Sequence, residues 1–144
     1  MKDKIVKDIN EFKLTNKKFS GKRILLVEDN ELSREIAVEI IGTTGVLIDT
    51  AINGLEAVEM ITKSQEGFYQ LVLMDIQMPV MDGYQATQKI RTLIRTDVIK
   101  MPIIAMTAYT LMEDKIKAIS SGMNAFLIKP IEINAIINIM MKYL

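Results

Sequence analysis

Five short apolar runs alternate with five segments of helical periodicity along this chain, and this alternation limits the fold more than any other feature. The run at residues 71–74, LVLM, has no polar side chain on either face, which is typical of a strand buried on both sides. Further strands are predicted at residues 23–28, 46–51, 103–107 and 125–128. Helices are predicted at residues 32–41, 55–63, 84–95, 111–121 and 133–143. Strands that alternate with helices favour a parallel sheet covered by helices on both faces.

Turn-forming residues mark the ends of these segments. Asp82 is predicted to cap the helix that follows it, and Gly122 is predicted to follow the last turn of the fourth helix. We interpret Asn53-Gly54 and Gly83 as structural turns.

Charged or hydroxyl side chains stand at the carboxyl ends of four predicted strands. Glu28 and Asp29 end or follow the first strand, Asp75 follows the third, Thr107 closes the fourth, and Lys129 follows the fifth. In open parallel sheets, ligands bind beyond the carboxyl ends of the strands. We therefore expect these five residues to meet at one edge of the sheet and to form the functional site.

The three carboxylates of this predicted site need a positive partner. Two unit charges about 4 Å apart repel each other by on the order of 4 kcal/mol at an effective dielectric constant of about 20. Lys129 is one candidate partner and a divalent cation is the other. Oxygen ligands without imidazole or thiolate favour Mg²⁺ or Mn²⁺ over zinc or copper. An ionised Asp75 in this setting can attack phosphorus and become an acyl phosphate, with Lys129 and Thr107 beside the phosphoryl oxygens.

The composition disfavours several other classes of site. Lysine plus arginine and aspartate plus glutamate both number 18, so the zero net charge gives no general attraction to nucleic acid or anionic lipid. Cysteine and histidine are absent from the sequence, which removes disulfides, the usual zinc ligands and any phosphohistidine. No apolar run approaches the roughly 20 residues of a membrane span. We therefore expect a cytoplasmic chain that is not itself a kinase.

Four short motifs lie at the ends of the predicted strands. They are the acidic pair in LLVEDN, the loop LMDIQMPVMDG, the strand PIIAMTA with its hydroxyl, and FLIKP. On these motifs the chain resembles the receiver domain of two-component response regulators, from Lys22 to Leu144. VEDNELSREIA and GMNAFLIKPI look most like the receivers of hybrid sensor histidine kinases. The resemblance implies an α/β fold, a doubly wound (βα)5 flavodoxin-like three-layer sandwich with strand order 2-1-3-4-5.

The resemblance also implies roles for the acidic residues. Asp75 would be the phosphoacceptor and would take its phosphoryl group from a phosphohistidine. Mg²⁺, with Mn²⁺ as a substitute, would bind to Asp29, Asp75 and the backbone carbonyl of Gln77, with Glu28 acting through water. Gln77 and Tyr109 occupy the positions that flank the phosphoryl group in this family and tune its hydrolysis.

Three further residues gain roles from the same resemblance. Thr107 and Lys129 would sense the phosphoryl group, and Phe126 would be the aromatic switch. The peptide bond between Lys129 and Pro130 would be cis.

The composition of residues 1–20 and the extent of the resemblance predict the domain boundaries, and the resemblance predicts the partners. Residues 1–20 are predicted to be a linker or a helical extension, and residues 21–144 are predicted to be the receiver domain. The expected partners are a histidine kinase core, a histidine phosphotransfer protein or a second receiver in a dimer, without contact to nucleic acid or membrane. The module is expected to promote phosphotransfer to its own Asp75 and hydrolysis from it.

Two other functions remain open from the sequence alone. A phosphorylation-independent pseudo-receiver would serve only protein contacts, and failure to bind Mg²⁺ would favour it. A flavodoxin-type cofactor carrier shares the doubly wound sheet and would absorb as a flavin. That second alternative needs a phosphate-binding loop after the first strand, where Glu28 and Asp29 would instead repel a bare phosphate.

Overall fold

The computed structural model describes residues 19–108 and 111–144, and it contains the five predicted strands. They are β1 (Arg23–Val27), β2 (Leu47–Ala51), β3 (Leu71–Asp75), β4 (Ile103–Thr107) and β5 (Ala125–Ile128). All neighbouring strands are parallel, and their order in the sheet is β2-β1-β3-β4-β5. The predicted doubly wound sheet is therefore confirmed. The predicted N-terminal segment lies outside the described residues, apart from Phe19 and Ser20.

Six helices are present in these two ranges. They are α1 (Glu31–Gly42), α2 (Gly54–Lys63), α3 (Gly83–Arg91), α4 (Thr96–Lys100), α5 (Met112–Ser121) and α6 (Ile133–Tyr143). The prediction of one helix at residues 84–95 was wrong at its C-terminal end, because α3 stops at Arg91 and α4 is a separate short helix. Between them, Arg95 is held in an extended conformation, since its guanidinium donates to the carbonyls of Ile61 (2.9 Å) and Ser64 (3.1 Å) at the end of α2. Among the described residues, no helix has the length and apolar character needed to cross a membrane.

Consecutive residues along each strand point into two separate hydrophobic cores. Leu25 and Val72 lie in register and belong to the core under α2, α3, α4 and α5. Their neighbours Leu26 and Leu73 belong to the core on the opposite face, under α1 and α6. Burying a leucine side chain fully contributes about 2 kcal/mol, so both faces stabilise the predicted three-layer sandwich. Phe19, two residues before the predicted domain boundary, is fully buried in the second core.

The predictions for two helix-end residues, Asp82 and Gly122, are confirmed. Asp82 Oδ1 accepts a hydrogen bond from the backbone N–H of Gln85 (2.8 Å), and Gln85 Oε1 accepts one from the backbone N–H of Asp82 (3.1 Å). This capping box satisfies two backbone donors at the start of α3. Gly122 ends α5 with a φ of 108°, a conformation that glycine adopts without steric cost.

The start of α3 packs directly against the end of β3. The backbone N–H of Gly83 donates to the carbonyl of Ile76 (2.9 Å), and a Cβ at position 83 would collide with the backbone carbonyl of Asp75. Gly83 is therefore a close-packing residue as well as the predicted turn. Residues 76–82, which we call the β3–α3 loop, follow Asp75 at the end of β3 and lead to Gly83 at the start of α3.

Candidate functional site

The carboxyl ends of β1, β3, β4 and β5 open into one cavity of about 340 Å³, which we call the acidic cavity. Its lining includes the five residues that were expected to meet, Glu28, Asp29, Asp75, Thr107 and Lys129. Gln77 lines the same cavity. Parallel strands of a doubly wound sheet bring their carboxyl ends to the same edge, and this topology produces the convergence.

Three carboxylates form the negative side of the acidic cavity. One oxygen each from Glu28, Asp29 and Asp75 lies within 4.8 Å of the other two. Glu28 and Asp75 are buried, with 3% and 5% of their surface exposed, whereas Asp29 is exposed to solvent. An oxygen-only donor set that faces water on one side fits Mg²⁺, which usually keeps several water ligands in protein sites.

Lys129 supplies positive charge to this cluster. Its Nζ lies 2.8 Å from Glu28 Oε2 and 3.2 Å from Asp75 Oδ1. Burial acts to lower the pKa of Lys129, but the hydrogen bond to Glu28 and the two negative charges outweigh burial and raise the pKa above its usual value. Lys129 is therefore charged at neutral pH. The Lys129-Pro130 peptide bond that follows β5 is cis.

The protonation state of Asp75 depends on the charges around its carboxyl group. Burial, together with the adjacent Glu28 carboxylate, raises the pKa of Asp75 from 3.8 to about 7, against the opposing effect of Lys129. Lys129 alone therefore does not fully compensate the negative charge of the cavity. Additional positive charge at the three carboxylates would favour the ionised form of Asp75, which is the nucleophilic form.

The remaining predicted site residues have different surroundings. Thr107 is buried at the end of β4, and its carbonyl accepts a hydrogen bond from the backbone N–H of Lys129 (2.9 Å). Phe126 is half-buried on β5 and packs against the core under α2 to α5. Gln77 is exposed in the β3–α3 loop, at the rim of the cavity. Tyr109 lies outside the described residues.

Sequence reasoning missed Arg34, a residue of α1 that supports the acidic pair. Arg34 donates from its guanidinium to the backbone carbonyl of Glu28 (3.0 Å), and Asn30 caps α1 by accepting from the backbone N–H of Ser33 (2.9 Å). The signal for Asn30 was visible, because asparagine is a preferred N-cap residue. Arg34 gave no comparable signal, since its contact depends on how α1 leaves the sheet.

This sheet and this acidic cavity are the arrangement expected of a two-component signalling receiver. Sequence comparison gives the same result independently. The chain belongs to the response regulator receiver domain family, whose family model matches residues 24–141. It is therefore a receiver domain of two-component phosphorelay signalling.

Similar sequences occur within much longer proteins. Hybrid signal transduction histidine kinase B of Dictyostelium discoideum is 43% identical over 129 residues, which cover 83% of this chain but only 6% of that protein. The predicted similarity to receivers of hybrid histidine kinases is thus confirmed.

Two solved structures show the similarity in three dimensions. The receiver domain of sensor histidine kinase PA1611 from Pseudomonas aeruginosa, with magnesium coordinated in its active site cleft, gives a TM-score of 0.76 at 33% identity. That match covers 86% of this chain and 98% of the other. The receiver domain of Saccharomyces cerevisiae Ssk1, in complex with the histidine phosphotransfer protein Ypd1, gives a TM-score of 0.75 at 30% identity, with 87% and 90% coverage.

Proposed function

We propose that this receiver domain accepts a phosphoryl group from a phosphohistidine onto Asp75 in a Mg²⁺-dependent reaction. The observation that supports this most directly is the buried Asp75 carboxylate, 3.2 Å from the Lys129 ammonium in the acidic cavity. An oxygen of Asp75 forms a bond to phosphorus while the bond from phosphorus to the histidine nitrogen breaks, and the electron pair of that bond stays on the imidazole. The ionised carboxylate has no proton to lose, so the step needs no general base.

The cation in this proposal is held by oxygen ligands. Asp29, Asp75 and the backbone carbonyl of Gln77 bind Mg²⁺, and Glu28 acts through water. Mn²⁺, which accepts the same ligands, serves as a substitute. When bound, the cation supplies positive charge that offsets the three carboxylates and the incoming phosphoryl oxygens.

The response to phosphorylation involves the other residues of the cavity. The Lys129 ammonium and the Thr107 hydroxyl hold the phosphoryl oxygens, so Thr107 moves towards Asp75. Phe126, on the neighbouring strand, is the proposed aromatic switch. Gln77 and Tyr109 are proposed, from their positions in the sequence, to tune hydrolysis of the acyl phosphate.

Uptake from a small phosphodonor such as acetyl phosphate tests the proposal. With Mg²⁺ present, we expect the intact protein to gain the mass of one phosphoryl group, and excess EDTA should prevent the gain. Hydroxylamine should remove the group, because it cleaves acyl phosphates and leaves phosphate esters of serine and threonine intact. Mass spectrometry that shows no uptake, or a label that resists hydroxylamine, would contradict the proposal.

The natural phosphodonor in this proposal is a histidine kinase core or a histidine phosphotransfer protein. An apolar groove of about 380 Å³ lies beside the acidic cavity and shares Glu28 and Lys129 with it. One wall of this groove is α1, where the side chain of Ile36 is 48% exposed. A donor histidine that reaches Asp75 must pass over this edge of the sheet, so we expect the protein that bears it to cover the groove.

Replacing Ile36 by asparagine separates docking from chemistry. We expect phosphotransfer from a phosphorylated histidine protein to slow by at least about 10-fold, with uptake from acetyl phosphate within about two-fold of the unchanged chain, because the variant loses apolar contact area outside the cavity. Time courses of phosphotransfer, with samples quenched at successive times, measure both rates. Ile99→Asn is the matched control, since Ile99 is exposed on α4 at the opposite face of the sheet. Equal slowing with both donors would contradict the docking assignment.

A second receiver is a further proposed partner. Met112, Ile116 and Ile119 leave apolar side chains exposed on α5, which begins five residues after Thr107. A cytoplasmic location is also part of the proposal, and the absence of cysteine fits a reducing compartment.

A further inference from the structure

The β3–α3 loop is anchored by helix α2 as well as by its own ends. The backbone N–H of Gly54, the first residue of α2, donates to the carbonyl of Met81 (3.1 Å). The two ends of the loop are also joined, because the N–H of Gly83 donates to the carbonyl of Ile76 (2.9 Å). Gln77, the proposed backbone ligand of the cation, lies between these two anchors.

No side chain fits between α2 and this loop. A Cβ at Gly54 would lie 2.6 Å from the Met81 carbonyl oxygen and 2.9 Å from Ala86 Cβ. Gly54 does not have a positive φ, so glycine is needed here for space and not for its backbone conformation. Gly42 at the end of α1 is different, because the nearest atom to an added Cβ is Ile48 Cδ1 at 3.9 Å.

The β3–α3 loop also contains an unfavourable backbone conformation, at Val80. Val80 has a φ of 70°, in a region that β-branched residues rarely enter, and its side chain is 76% exposed. Such a conformation persists only where the surrounding structure determines it. The Val80 side chain is too exposed to supply that constraint. A bond from the Met81 N–H to the Pro79 carbonyl (2.8 Å) closes a turn across Val80, and Gly54 fixes the Met81 carbonyl.

We propose that Gly54 is a positioning residue for the phosphoacceptor site. By admitting the backbone of the β3–α3 loop against the start of α2, Gly54 sets the loop so that the Gln77 carbonyl reaches the cation. This inference rests on the proposed function, because it assigns Gly54 a role in Mg²⁺ binding through Met81.

The test compares Gly54→Ala with Gly42→Ala, which adds the same methyl group to a glycine that has room for it. We expect the half-saturating Mg²⁺ concentration, measured by calorimetric titration, to rise about 10-fold in Gly54→Ala and to stay within about two-fold in Gly42→Ala. Because the defect lies in metal binding, uptake from acetyl phosphate should recover in Gly54→Ala as Mg²⁺ is raised. Unchanged Mg²⁺ affinity in a folded Gly54→Ala chain would overturn the inference.

Two further measurements do not depend on activity. In metal-free Gly54→Ala, exchange of the Gly83 amide proton should accelerate, because displacement of the loop weakens its bond to Ile76. In the unchanged chain, the amide resonances of Gly54 and Gln77 should shift as Mg²⁺ is added, with the same half-saturating concentration. The amide resonance of Gly42 should not shift. A Gly54 amide resonance that does not shift as Mg²⁺ is added would overturn the inference, even where Gly54→Ala does not fold.

These outcomes separate the inference from the function on which it rests. If the unchanged chain neither binds Mg²⁺ nor takes up phosphate, the proposed function fails and the role of Gly54 fails with it. If the unchanged chain does both and Gly54→Ala matches it, only the role of Gly54 is overturned.

Discussion

Replacing Asp75 by asparagine is expected to abolish phosphoryl uptake while leaving the protein folded. Asparagine has nearly the same shape, so it fits the buried position at the end of β3, but its amide is not a nucleophile towards phosphorus. Uptake from acetyl phosphate with Mg²⁺ should therefore fall to the level of the unchanged chain incubated without acetyl phosphate. The measurement is the mass of the intact chain, with circular dichroism to establish that the fold is retained.

Asp82→Asn is the matched control for this experiment. Asp82 ends the β3–α3 loop that follows Asp75, but its carboxylate caps α3, and asparagine caps helices about as well as aspartate does. We therefore expect Asp82→Asn to take up phosphate normally. Equal uptake by the Asp75→Asn chain would show that another residue is the acceptor.

Stability of the metal-free chain is expected to fall as the pH rises from about 4.5 to 8. Burial, followed by the nearby Glu28 carboxylate, raises the pKa of Asp75 from 3.8 to about 7, so the folded chain holds a proton that the unfolded chain has already lost. By linkage, the free energy of unfolding decreases with pH across this window, by on the order of 3 kcal/mol for a shift of this size. The raised pKa of Lys129 lies above its usual value of 10.5, so loss of the lysine charge begins only at higher pH.

Urea unfolding at several pH values measures how the free energy of unfolding depends on pH. Replacing Asp75 by asparagine and adding Mg²⁺ should each remove this dependence. Asp75→Asn should unfold at higher urea than the unchanged chain at pH 8, because the buried negative charge is absent. Mg²⁺ should stabilise the unchanged chain most at high pH, since it binds the folded state with ionised carboxylates. Stability that rises with pH in the metal-free chain, or an equal slope in Asp75→Asn, would contradict the prediction.

The positions of the site residues could be predicted because they depend on local pattern and topology. Asp75 ends an apolar run and Lys129 follows one, and in a parallel doubly wound sheet the ends of such runs share an edge. The capping role of Asp82 was readable for a similar reason, since the helix that it caps starts at the next residue.

Features that depend on contacts between segments far apart in the sequence could not be predicted in the same way. The break between α3 and α4 follows from bonds that Arg95 makes to the end of α2, 34 residues away in the case of Ile61. Asn53-Gly54 was readable only as a turn, because the closeness of the Met81 carbonyl exists only once α2 and α3 have packed. A five-residue helix such as α4 is also too short to show a helical period.

The ion pair between Lys129 and Glu28 joins positions 101 residues apart in the chain. During translation the three acids leave the ribosome well before the lysine. A nascent chain that ends before β5 therefore contains Asp75 but lacks the side chain that offsets its negative surroundings. The charge balance around Asp75 is consequently completed only after β5 has docked beside β4.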